Sequence, residues 1–148
     1  MPILNVPARL EHLATVNDFI NEHLPAEHAM LSMQVELAAE ELLVNVFSYA
    51  YPQELGVTGK AEVGCRMVHF DGEDFFSLSV KDWGKPFNPF IEAPEPDTSL
   101  DIEDRPIGGL GVHLIKTMVS HYSYGYADDA NVIELFFALP PTLPVLED

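Results

Sequence analysis

Glu41 and Asn45 stand one helical turn apart in the stretch ELLVNVFSYAYP, residues 41–52, among Leu42, Leu43, Val44, Val46 and Phe47. A carboxylate and an amide set among aliphatic side chains cost free energy unless something pairs with them. At about 100° per residue, Gln34, Glu41, Asn45 and Ser48 fall in one narrow stripe of a helix. Such a pair can share a cation and a water. Asn offers a neutral carbonyl oxygen to Mg²⁺, and Glu can take a proton from a nucleophile. The ordinary alternative is a solvated polar face, and the apolar flanks argue against it.

A second candidate lies in SLSVKDWGKPF, residues 77–87. Phe76, Leu78, Val80 and Asp82 share strand parity, so Asp82 points to the apolar side at the end of a strand. An ionised carboxylate only accepts hydrogen bonds, and the amino group of adenine is one donor that could meet it. Gly84 allows close backbone approach, Pro86 stiffens the turn, and Phe87 closes it. The competing reading is a turn-forming Asp before WGKP.

A third lies in RPIGGLGVHLIK, residues 105–116, where Gly108, Gly109 and Gly111, with Leu110 between them, precede a helix. Bare N–H groups at a helix start bind anions, with the helix dipole adding to the effect. A flexible linker with a glycine cap is the alternative. No Lys-Ser/Thr pair follows, so this is not a P-loop, and no strand directly precedes it, as a dinucleotide fingerprint needs. Residues 85–107, acidic and Pro-rich, join the Asp82 turn to these glycines. So long a loop between two candidate ligand contacts reads as a lid. Its six acids would repel a bare triphosphate unless Mg²⁺ offsets them or they face outward. Arg105 is the cation that could reach a phosphate.

The elements that must position these residues follow from periodicity. Residues 3–8 read as a strand, and 9–24 as a helix carrying Leu10, Leu13, Val16, Phe19 and Ile20 at helical spacing. After Pro25 a longer helix is predicted over about 27–50, stopped by Pro52. KAEVGCRMVHF and FFSLSVKDW read as strands joined by DGED. A glycine-rich turn then opens into a third helix over GGLGVHLIKTMVSHY. YSYGYA and NVIELFFAL form a hairpin around DDAN, and the tail 140–148 is expected to fray. The predicted fold is an α/β two-layer sandwich. Its helices lie on one face of a mixed, mainly antiparallel sheet.

Length and composition fit one domain over residues 1–148, with 47% hydrophobic residues available for a core. Seven basic against 24 acidic residues give a formal charge of -17. That field disfavours nucleic acid and anionic membranes, whereas a metal-assisted ATP site can outweigh it locally. One cysteine, Cys65, excludes an internal disulfide and fits a reducing, cytoplasmic setting. No signal peptide or membrane span is expected.

The order Glu-x-x-x-Asn, Asp-x-Gly-x-Pro-Phe, Gly-Gly-Leu-Gly over residues 30–138 resembles the Bergerat-type ATP-binding domain of the histidine-kinase-like (GHKL) superfamily. That domain is shared by gyrase, heat-shock chaperone ATPases, histidine kinases and mismatch-repair ATPases. The wording DWGKPFNPF and GGLGVHLIK is similar to the small serine-kinase branch, the bacterial anti-sigma regulatory factors. The resemblance implies an ATP-dependent protein serine/threonine kinase. In it Glu41 would be the general base, Asn45 the Mg²⁺ ligand, and Asp82 the acceptor for the adenine amino group. Gly84, Pro86 and Phe87 would shape that pocket. Arg105, Gly108, Gly109, Leu110 and Gly111 would hold the phosphates. The implied partners are a sigma factor and a small anti-anti-sigma (STAS-type) protein as substrate, with homodimerisation common in the family. Where the family often has His after the helical Glu and Asn, this chain has Tyr49-Ala50-Tyr51.

The alternative is a non-catalytic switch in which ATP orders the lid and creates a surface for a regulatory partner. A switch has no need of Glu41. His113 and His121 on the last helix read as surface or interface residues, Trp83 as packing at the pocket rim, and Cys65 as an unreactive thiol.

Overall fold

Two tight hairpins frame the sheet. The computed structural model describes residues 1–7, 9–46, 59–92 and 109–140. β1 (Ile3–Pro7) pairs with β2 (Lys60–Phe70), and β2 with β3 (Glu73–Asp82). Phe70 faces Glu73, leaving Asp71 and Gly72 as the loop at φ 55° and 81°. Two successive left-handed residues match the twist of the flanking strands, and Gly72 adopts that conformation without steric penalty. β4 (His121–Ala127) and β5 (Ala130–Ala138) turn in the same way through Asp128 and Asp129, at φ 53° and 61°. Asp tolerates this region better than most side chains.

The strand order is β1-β2-β3-β5-β4, and every described pairing is antiparallel. The expectation of a mixed sheet is corrected to a wholly antiparallel one among the described strands. Two-residue loops reverse the chain at both hairpins, and β5 returns alongside β3 in the opposite sense.

Helices α1 (Leu13–His23), α2 (Ser32–Asn45) and α4 (Gly109–Met118) cover one face. Val63, Phe76, Leu78, Val80, Leu135 and Phe137 project from that face. They meet Val16 and Ile20 of α1, Val35, Leu42 and Leu43 of α2, and Val112 and Ile115 of α4 in one core. Each large apolar side chain fully buried there contributes about 1.5–3 kcal/mol. Ala38 and Ala39, both fully buried, bring α2 close to its neighbours. On the opposite face Arg66 forks onto Glu134 at 2.8–3.1 Å.

Three predicted elements change. The long second helix is a 3₁₀ segment, Ala26–Leu31, followed by α2. The chain leaves helical geometry at His28 (φ −113°, ψ 20°), whose side chain is buried. The first helix likewise begins with a 3₁₀ turn, Leu10–His12. The third helix ends at Met118, so His121 opens β4 rather than closing a helix, and its ring meets the edge of Phe75 at 5.6 Å. His121 and His113 are both exposed. A short helical turn, α3 (Pro89–Glu92), occupies the start of the expected loop 85–107. Residues 93–107, the helix end 47–50 and the tail 141–148 lie outside the described residues. No helix among the described residues is long and apolar enough to cross a membrane.

Candidate functional site

α2 carries the polar stripe obliquely into the protein. Gln34 is exposed, Glu41 is half-buried, and Asn45 is 7% exposed. Ser48 lies outside the described residues. The stripe is therefore neither a solvated face nor a uniform groove, because its polar groups lose solvent towards the C-terminal end of α2. Asn45 Nδ2 is buried, with no hydrogen-bond partner among the described residues. Such a group forfeits about 1–3 kcal/mol, and its presence in a native core calls for a functional explanation.

Glu41 meets the first turn of α4. A Cβ placed on Gly111 would overlap Glu41 Oε2 and come within 2.5 Å of its Cδ and 3.0 Å of its Cγ. The glycines expected to form a turn before the helix are thus partly inside it, Gly109 opening α4 and Gly111 two residues on. What Gly111 admits is the Glu41 side chain. Burial, and then the neighbouring Glu40 charge, raise the Glu41 pKa above the usual carboxylate value. A carboxylate poised upward in pKa is a better proton acceptor near neutral pH.

Asp82 ends β3 on the core face with 5% exposure, as its parity predicted. Its Oδ1 accepts from Gly84 N at 3.0 Å and from Asn131 Nδ2 at 3.0 Å. Desolvation raises the Asp82 pKa, and these two donors work against that rise. The amide of Asn131 also donates to Lys85 O at 2.9 Å and accepts from Phe87 N at 3.0 Å. The turn from Gly84 to Phe87 is therefore tied to β5. Pro86 stands exposed on its outer side. The ring of Trp83 has the ammonium groups of Lys60 at 4.6 Å and Lys81 at 5.3 Å from its centroid, so cation–π contacts help to hold it.

Beyond this turn, Phe90 stacks on Tyr122 at 4.2 Å, and Lys116 of α4 donates to Phe90 O at 2.8 Å. Segment 93–108 thus runs from α3, which touches α4, to the start of α4 itself. Of the predicted phosphate contacts, Arg105 and Gly108 lie outside the described residues, and Gly109 and Leu110 are placed by backbone alone. Cys65 is buried, and desolvation pushes its thiol up to about 12, so it is no nucleophile.

The structure brings Glu41 against Gly111, and Asp82 against Gly84 and Asn131. Asn131, Tyr124 and Lys116 escaped sequence reasoning. Asn131 shares inward parity with Ile133, Leu135 and Phe137, so the parity argument that singled out Asp82 would have found it too.

A family model described as histidine kinase-like ATPase domain matches residues 6–137. The chain belongs to this family. As a histidine kinase-like ATPase domain, it is an ATP-binding domain built on an antiparallel sheet backed by helices. No curated protein matches the chain.

The residues present fit the Mg²⁺ that such a domain usually employs. Among the described residues no group of three or more His, Cys, Asp or Glu side chains could hold a metal. Mg²⁺ characteristically takes one or two protein ligands and completes its shell with water and phosphate oxygens. The amide of Asn45, whose Nδ2 has no hydrogen-bond partner among the described residues, could turn its oxygen to such an ion.

Proposed function

We propose that this ATP-binding domain is a protein serine/threonine kinase that acts as an anti-sigma regulatory factor and phosphorylates a small anti-anti-sigma protein. The observation that carries the reading is the half-buried Glu41 carboxylate, raised in pKa and seated against the first turn of α4, one helical turn from the unsatisfied Asn45.

In this reading Asp82 accepts the adenine amino group and sets the base end of ATP. The N-terminal turn of α4, with Gly109, Leu110 and Gly111, receives the phosphates through backbone N–H groups, joined by Gly108 and Arg105. Asn45 would hold Mg²⁺ through its amide oxygen, the ion neutralising charge on the phosphates. Glu41 takes the proton from the incoming serine hydroxyl as its oxygen bonds the γ-phosphorus. The bond to the β-phosphate oxygen breaks and ADP leaves. Most of the acceleration comes from positioning and charge stabilisation. A sigma factor is the second partner, a homodimer the proposed assembly, and the cytoplasm the setting those partners require.

The test is phosphate transfer from ATP to an anti-anti-sigma protein, read by mass spectrometry at serine. Transfer that is lost in Glu41→Ala while Mg-ATP still binds supports the kinase. Mg-ATP binding with no transfer by the parent chain to any such protein would leave the switch reading in its place.

A further inference from the structure

Asn131 is the most heavily committed side chain on the core face of the sheet. It sits directly opposite Asp82 across the β3–β5 pairing and is 2% exposed. Its Nδ2 donates to Asp82 Oδ1 at 3.0 Å and Lys85 O at 2.9 Å, with Gly84 O further off at 3.4 Å. Its Oδ1 accepts from Phe87 N at 3.0 Å and from the Tyr124 hydroxyl. These partners fix the orientation of the amide. Reversing it would set Nδ2 against the Phe87 N–H and Oδ1 against the carboxylate and two carbonyls.

We propose that Asn131 is the positioning residue for nucleobase selection, locking the Asp82 carboxylate and the Gly84–Phe87 turn in the one arrangement that favours a 6-amino purine. The proposal rests on the reading of Asp82 as the base acceptor. Two protein donors to Asp82 converge on Oδ1, Gly84 N at 3.0 Å and Asn131 Nδ2 at 3.0 Å. The carboxylate is thereby tethered at one oxygen, and hydrogen bonds to the charged form oppose the rise that desolvation causes. An acceptor held in place discriminates a 6-amino purine, which offers a donor, from a 6-oxo purine, which turns a second acceptor towards it. Such rejection requires that the carboxylate cannot rotate away. Asn131 prevents that rotation, and Tyr124 in turn holds Asn131.

The test measures dissociation constants of the full chain for Mg-ATP, Mg-ITP and tripolyphosphate by calorimetry. The parent is expected to prefer ATP over ITP. Asn131→Ala should shrink that preference about tenfold, the scale of one hydrogen bond to a charged group, while tripolyphosphate affinity stays unchanged. A merely structural role would weaken ATP and ITP in parallel, and an unaltered ratio in Asn131→Ala overturns the proposal. If Asn131→Ala does not fold, Tyr124→Phe decides by the same ratio: a reduced preference supports the proposal and an unchanged one overturns it. A parent chain that binds ATP and ITP equally instead defeats the assignment of Asp82, and the role of Asn131 with it.

Discussion

A methyl group at Gly111 of α4 would collide with the carboxylate of Glu41. Oε2 occupies the space a Cβ would fill, and Cδ lies 2.5 Å from it. The close approach of α2 to α4 and the conformation of Glu41 are therefore one constraint. Gly111→Ala should forfeit the usual helix-interior gain of about 0.5–1 kcal/mol over glycine, because the Glu41 side chain must be displaced to admit the methyl group. Removing the obstructing side chain in Gly111→Ala/Glu41→Ala should recover much of that gain, a coupling measured by urea unfolding of the double-mutant cycle. Strict additivity would show that the two residues do not share this space.

Glu41→Ala should leave Mg-ATP affinity nearly intact and lower phosphate transfer by about 10²–10⁴-fold, the usual contribution of a general base. Binding by calorimetry and single-turnover transfer separate the two effects. Equal losses in both would mean that Glu41 serves binding.

Asn45→Leu should raise stability while abolishing Mg-ATP binding. The substitution removes a buried Nδ2 that has no partner among the described residues and leaves a side chain of similar size in apolar surroundings. The gain should be about 1 kcal/mol in chemical denaturation. A stabilised variant that still binds Mg-ATP would remove Asn45 from the metal.

The raised pKa of Asp82 has a sign that can be checked. The native state holds this proton more tightly than the unfolded chain, whose value is near 3.8. The contribution of this group to stability is thus complete below the unfolded value and lost as pH rises through the folded one. Asp82→Asn lacks that loss. Between pH 4 and neutrality the parent should therefore lose more stability than the variant. Parallel curves from thermal unfolding would contradict the shift.

Much of the fold was legible because strand parity and helical spacing act locally. The β2–β3 hairpin and the inward turn of Asp82 followed from the alternation Phe76, Leu78, Val80, Asp82. The Glu41–Asn45 stripe was legible as a direction, but not its gradient of burial, which depends on how far α2 sinks between α1, α4 and β3. The break at His28 was hidden because residues 26–31 have a composition that suits a regular helix as well as a 3₁₀ one. Asn131 was passed over because its meaning is non-local: the side chain matters through Asp82, 49 positions earlier in the chain. Spacing alone points Gly111 towards phosphates; that its missing Cβ also makes room for Glu41 depends on the packing of another helix.

Trp83 is the sole tryptophan of the protein, one residue from Asp82 and close to two ammonium groups. The chain thus carries an intrinsic fluorophore beside the proposed base end of the nucleotide site, with no second indole to dilute the signal. Occupancy of that site can be followed by emission from the unlabelled protein.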